Sequence, residues 1–213
     1  MNKVKIAVLV SGGGTNLQAL IDAEKSDIIK SGTISLVISN NEGAYALERA
    51  AKAGIDTAVV TKKALGSQEA FEDAIMKLID DNGIGIIVLA GFMSILSERF
   101  TSTYPERIIN VHPSLIPSFC GKGFYGLHVH EAALEKGVKI SGATVHIVTP
   151  ECDAGPIVLQ KAVEVMEGDT PETLQRRIMV EAEWKILPEA VRLFCDGRIV
   201  IENGKAHIIE KQA

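Results

Sequence analysis

The chain is poor in the residues that build cross-linked or metal-clasped folds. Among its 213 residues are three cysteines, Cys120, Cys152 and Cys195, widely spaced and with no C-x-x-C pair. This excludes a disulfide framework and a cysteine-rich zinc site, and it fits a reducing compartment. No apolar stretch approaches the roughly 18 residues of a membrane-crossing helix. Lys3 and Lys5 precede the apolar run Ile6–Val10, but that run is too short for a secretion signal and ends in Ser11-Gly12-Gly13-Gly14. It reads instead as a buried first strand, and a cytoplasmic location is expected. There is no basic excess either. A net charge of −5 and a pI near 5.6 exclude broad electrostatic attraction to nucleic acid or an anionic membrane. Neither repeats nor low-complexity linkers divide the sequence, so residues 1–213 are expected to form a single domain.

What is present is an alternation of apolar runs with helix-period segments. Strands are predicted at Val4–Val10, Ile34–Ser39, Ile55–Val60, Ile84–Ala90 and Arg107–Val111. Between them fall predicted helices at Asn16–Glu24, Tyr45–Ala53, Gln68–Asp80 and Leu96–Phe100. This order predicts an α/β fold with a doubly wound, mostly parallel sheet and flanking helices, Rossmann-like in its winding. Further on, a helix is predicted at His130–Glu135 and strands at Ala143–Val148 and Ile157–Val165. Thr170-Pro171-Glu172 opens a long helix expected to reach Phe194 with a bend or break near Pro188. A C-terminal hairpin is predicted from Arg198–Ile201 and Ala206–Ile209 around Asn203-Gly204.

Ligands of open parallel sheets bind beyond the carboxyl ends of the strands. Four segments follow directly on predicted strands: Ser11–Asn16, Gly91–Leu96, Asn110–Pro113 and Pro150–Pro156. The fold predicts that they converge on one edge. In the first, glycines let backbone N–H groups approach an anion at a helix start. The dinucleotide pattern GxGxxG fails there, because Leu17 stands where its last glycine belongs, and no Gly-Lys-Ser/Thr follows. A small phosphate is the expected ligand, with a merely tight turn as the alternative. In the third segment Asn110 and His112 point to one side of a strand end, where an amide can hold a carbonyl oxygen and an imidazole can move a proton, the alternative being a hydrogen-bonded structural histidine. Asp153 could orient that ring and raise its pKa. His128, His130 and His146 lack the acidic or cysteine partners of a usual zinc set, so no metal is expected, and His146, within a strand, either lines the pocket or is satisfied in the core.

Together, Val10-Ser11-Gly12-Gly13-Gly14-Thr15-Asn16, Ala90-Gly91-Phe92-Met93, Asn110-Val111-His112-Pro113-Ser114-Leu115-Ile116-Pro117 and Asp153-Ala154-Gly155-Pro156 resemble the phosphoribosylglycinamide formyltransferases, a folate-dependent formyltransferase family. The resemblance runs through essentially the whole chain, in order. It implies attack of the amine of phosphoribosylglycinamide on the formyl carbon of 10-formyltetrahydrofolate, a reduced-folate co-substrate, with no metal. By this resemblance Asn110, His112 and Asp153 are the catalytic trio; Gly14, Thr15 and Asn16 bind the substrate phosphate; and Glu183 holds the ribose hydroxyls. Met93, Ser94, Ile95 and Leu96, together with Asn110 and Gln68, are expected to line the folate site. Residues to about 105 would then form the phosphate-binding half, and those from 106 to 213 the folate-binding and catalytic half. Family members often carry arginine where this chain has Ser94 and Gln68, and Trp184 replaces a common histidine. The chain length is expected to separate it from the transfer-RNA formyltransferases and the formyltetrahydrofolate hydrolases, which carry additional domains. The partners implied are small molecules; the oligomeric state, monomer or homodimer, stays open.

Overall fold

The computed structural model describes residues 2–210. Seven strands form one sheet, β1 (Val4–Val10), β2 (Gly32–Ser39), β3 (Asp56–Val59), β4 (Ile86–Leu89), β5 (Ile108–His112), β6 (Ile140–Ile147) and β7 (Ile157–Glu164). Their spatial order is β3-β2-β1-β4-β5-β6-β7. The pairs from β3 to β5 are parallel, and β6 and β7 are added antiparallel. This is the doubly wound, mostly parallel α/β fold that the alternation predicts.

Strand β1 shows why the sheet is covered on both sides. Ile6, Val8 and Val10 join a core with Leu17, Leu20 and Ile21 of α1 (Thr15–Lys25) and with Leu187 and Val191 of α8 (Trp184–Cys195). Ala7 and Leu9 point the other way, toward Phe71, Ile75 and Ile79 of α4 (Gln68–Asp81) and Phe100 of α5 (Glu98–Thr103). All four residues of β4 are buried, as a strand covered on both faces requires. Each such aliphatic side chain contributes roughly 1.5–3 kcal/mol on leaving water. The remaining helices are α2 (Tyr45–Lys52), α3 (Lys62–Leu65), α6 (Leu127–Lys136) and α7 (Pro171–Ile178).

Several boundaries differ from the sequence expectation for local reasons. The helix expected from Leu96 starts at Glu98, because the Ser97 side chain caps it by accepting from Phe100 N. Helix α6 begins at Leu127, so His130 lies inside it. The short α3, capped by Thr61, lies between predicted elements. Helix α7 opens as read, with Pro171 in its first turn and a capping box between Thr170 and Thr173. The break expected near Pro188 lies elsewhere: Pro188 is inside α8, and a π-helical turn, Met179–Glu183, interrupts the helix first. The extra residue is taken just before the proline, whose missing N–H and bulky ring disfavour a continuous α-ladder. The chain closes with the hairpin of β8 (Ile199–Glu202) and β9 (Lys205–Ile208). Its turn residues Asn203 and Gly204 have φ of 51° and 73°, as a two-residue hairpin turn requires.

The neighbouring strands β1 and β4 mark the point where strand order reverses. The chains leaving their carboxyl ends diverge to opposite faces and open a crevice between them.

Candidate active site

The loops after β1, β2 and β4 are tied together at this crevice. Met93 N–H donates to Ser11 Oγ at 2.8 Å, Asn41 Nδ2 donates to the Ser11 carbonyl at 3.3 Å, and Asn40 Nδ2 donates to Ser94 Oγ at 2.7 Å. Met93 and Ile95 present exposed apolar side chains beside it, while Leu96 turns into the core. Gln68 donates to Glu72 Oε1 at 2.7 Å and to the Ile95 carbonyl at 3.1 Å. The buried Glu72 also accepts from Ser97 N at 2.6 Å and Ser97 Oγ at 2.5 Å. Gln68 and Ser94 therefore brace the loop that carries Met93 and Ile95.

At the start of α1, Gly14 adopts φ 70° and provides no side-chain cap, so the first-turn N–H groups are left open for an acceptor. A Cβ on Gly14 would lie 2.6 Å from Ala46 Cβ, so the close approach of α2 requires glycine. Arg49 from α2 donates through Nε to the Gly13 carbonyl at 2.8 Å and brings positive charge against the loop. Thr15 is partly exposed there. Asn16 is buried, and its Nδ2 donates to Glu183 Oε2 at 2.6 Å. Burial pushes the Glu183 carboxyl up to about 7, against the lowering effect of the Asn16 hydrogen bond. Asn16 Oδ1, and Nε1 of Trp184 next in the chain to Glu183, are buried polar atoms without a partner among the described residues. The π-helical turn ends at Glu183 and sets which side of the helix that carboxyl occupies.

The third group of residues sits on β5 and β6. Antiparallel pairing sets Asn110 opposite His146 and His112 opposite Thr144. Asn110 Nδ2 donates to His146 Nε2 at 3.1 Å, and His146 Nδ1–H donates to the Ile147 carbonyl at 3.0 Å. His112 is buried; its Nε2–H donates to the Phe119 carbonyl at 2.8 Å, and its Nδ1 lies 3.6 Å from Asp153 Oδ2. The other carboxylate oxygen, Asp153 Oδ1, is 3.6 Å from His146 Nε2. Gly121 N–H donates to Asp153 Oδ2 at 2.9 Å. Asp153 thus bridges two imidazoles, with Asn110 attached to the second.

The route by which Asp153 arrives corrects the expectation that all four segments leave the same edge. Because β6 is antiparallel, Ile147 lies opposite Ile109, and the chain exits beyond Asn110, away from His112. The loop 148–156 must double back for Asp153 to reach both rings. A tight return makes this possible: Ile147 N–H donates to the Pro156 carbonyl at 2.9 Å, and a Cβ on Gly155 would lie 1.9 Å from the Ile147 carbonyl oxygen. Asp153 itself is left-handed, φ 55°, as is Phe119 at φ 49°.

The electrostatics also depart from the expected raised imidazole. Burial lowers the His112 pKa below 6.5, outweighing the upward pull of the Phe119 carbonyl and the Asp153 charge. Burial alone would raise Asp153, but the neighbouring His146 and His112 imidazoles and the Gly121 N–H hold it down at about 2. At neutral pH a neutral His112 therefore faces an ionised Asp153, ready to stabilise a proton arriving at Nδ1.

His146 is the member of this cluster that sequence reasoning left open between core and pocket. Only the antiparallel register with β5 reveals it, since it is set opposite Asn110 across the strands. His130 is fully buried with neither ring nitrogen partnered among the described residues, and burial, then the nearby His112 charge, bring it down to about 4. His128 is exposed beside Glu131, and His207 is exposed on β9. Among the described residues no group of three or more His, Cys, Asp or Glu could hold a metal ion, and no helix is long and apolar enough to cross a membrane.

The chain has counterparts among known proteins in sequence and fold. The family model described as formyl transferase matches residues 4–191. The phosphoribosylglycinamide formyltransferase of Escherichia coli is 43% identical over 95% of this chain and 92% of its own length. The trifunctional purine biosynthetic protein adenosine-3 of Gallus gallus is 44% identical over 96% of this chain, which spans only 20% of that longer protein. The crystal structure of glycinamide ribonucleotide transformylase 1 from Symbiobacterium toebii superposes with a TM-score of 0.91 at 45% identity, covering 98% of this chain and 95% of that one. With the formyl transferase match extending over most of its length, from the first strand into the last long helix, the chain belongs to the formyl transferase family.

Proposed function

We propose that the protein transfers the formyl group of 10-formyltetrahydrofolate to the amine of 5-phosphoribosylglycinamide, a reaction of purine biosynthesis. The observation that carries this reading is the bridge His112–Asp153–His146–Asn110 beside the glycine loop and the crevice, in a chain 43% identical to a phosphoribosylglycinamide formyltransferase over nearly the full length of both. The substrate phosphate is taken by the open N–H groups around Gly14, Thr15 and Asn16, and Glu183 faces the ribose hydroxyls. The folate lies against Met93 and Ile95, on the loop braced by Ser94, Leu96 and Gln68. The phosphate-binding half then ends near residue 105, within a single domain.

In this reading the amine attacks the formyl carbon, and Asn110 donates to the oxygen that becomes negative in the tetrahedral intermediate. Neutral His112 takes the proton shed by the amine at Nδ1, where Asp153 stabilises the resulting imidazolium. His112 then acts as general acid and returns that proton to the departing folate nitrogen. No covalent enzyme intermediate and no metal enter. The reading places the protein in the cytoplasm, with small-molecule partners and neither nucleic acid nor membrane among them.

The test is the absorbance change of 10-formyltetrahydrofolate with the purified protein, with and without the ribonucleotide acceptor. Rapid loss of the formyl group only with the acceptor is expected. Equal loss without it would make the protein a hydrolase, and no loss in either case would leave a binding role.

A further inference from the structure

Two thiols flank Asp153 from two different loops. Gly121, which follows Cys120, is hydrogen-bonded to Asp153, which follows Cys152, at 2.9 Å. The loop that carries Cys120 therefore touches the loop that carries Cys152 through the Asp153 side chain. Cys152 is exposed and Cys120 partly so, whereas Cys195 is buried. Cys152 directly precedes Asp153, and the Cys120 thiol donates to the Pro117 carbonyl within its own loop at 3.3 Å. That loop turns at Phe119, Gly121 and Gly123, all with positive φ. Both flanking thiols are held in the protonated form by burial first and by the Asp153 charge second, and Cys152 also feels Cys120.

We propose that Cys120 and Cys152 form a reversible disulfide that disables the site by pulling Asp153 away from His112 and His146. The oxidant is a small-molecule disulfide such as oxidised glutathione. The Cys152 thiolate attacks one of its sulfurs, and one reduced glutathione departs. The Cys120 thiolate then attacks the Cys152 sulfur and releases the second, so two thiols are oxidised, one disulfide is reduced, and the two protons pass to the glutathione thiolates. A disulfide needs its Cβ atoms roughly 3.8 Å apart, so closure draws the 119–123 turn and residue 152 together. Asp153, next in the chain to Cys152, is carried along, and its placement between His112 and His146 is lost. Because only the thiolate attacks, the reaction quickens as pH rises from 7 to 9.

The control of turnover rests on the formyl-transfer reading; the disulfide itself does not. The test is to incubate the protein with oxidised glutathione, map its peptides by mass spectrometry, and assay formyl transfer before and after reduction with dithiothreitol. A peptide cross-linked between Cys120 and Cys152 is expected, with turnover reduced at least about tenfold and restored by reduction. Cys120→Ser and Cys152→Ser should keep their turnover and resist the oxidant. Glutathione adducts on Cys152 without a cross-link would overturn the proposal, as would a cross-linked protein with full turnover. A protein that transfers no formyl group before oxidation would count against the catalytic reading alone, with the peptide map still deciding the disulfide.

Discussion

Replacing Glu183 with glutamine removes a buried acid that keeps its proton up to about pH 7 in the native state. The reference value for a free glutamate in the same comparison is 4.5, so between pH 4.5 and 7 the folded chain binds a proton that the unfolded chain has released. Unfolding in that window takes up fewer protons than it sheds, and native stability falls as pH rises through it. At about 1.4 kcal/mol for each tenfold change in acidity, the loss reaches about 3 kcal/mol by pH 8. Glutamine has no proton to lose, and its carbonyl can still accept from Asn16 Nδ2. Urea unfolding of both proteins at pH 5, 6, 7 and 8 reads this directly. The wild type should lose about 2.5 kcal/mol more than Glu183→Gln between pH 5 and pH 8, leaving the variant the more stable protein at the upper end. Parallel pH slopes for the two proteins would refute the buried-acid argument.

His112→Ala should lower turnover by about 10²–10⁴-fold, the usual scale for a positioned acid or base, with little change in the affinity for a phosphorylated ligand measured by calorimetry. Equal losses in both would remove the proton-transfer role. Gly155→Ala inserts a methyl where the Ile147 carbonyl oxygen lies 1.9 Å away. It should destabilise the fold by about 1–3 kcal/mol in urea unfolding and lower turnover as Asp153 is displaced; unchanged values of both would show that the return of the loop is not as tight as described.

The winding of the sheet was legible because β1 and β4 are apolar on both faces and the segments between strands carry a helical period. Asn110 and His112 were legible for the same reason, being two residues apart at a strand end. The electrostatic state of His112 was not. A charge partner argued for a raised pKa, and only the enclosing structure shows that loss of solvent outweighs it. Asp153 was named for its place in a turn before Gly155, but its path depends on β6 running backwards, which an apolar run does not disclose. His146 escaped for that reason too. Gln68 and Ser94 were expected to meet a ligand. Their hydrogen bonds to Glu72, Ile95 and Asn40 depend on three loops meeting, and no local pattern encodes that meeting.

The five-residue turn from Met179 to Glu183 works as a phase shifter in the last long helix. An α-helix rotates by about 100° per residue, so the one residue gained there changes which longitude every later side chain occupies. Upstream, Leu174 and Ile178 face the core; downstream, Ile186, Leu187, Ala190 and Val191 do so again. Shortening the segment by one residue would restore an unbroken spiral and could satisfy only one of these two stretches. If α8 kept its grip on the sheet, the mismatch would fall on the turn that delivers Glu183 to Asn16. The spare residue lets an apolar stripe and an acid at the site share one helix, so insertions and deletions should be tolerated far less at 179–183 than on the outer faces of α7 and α8.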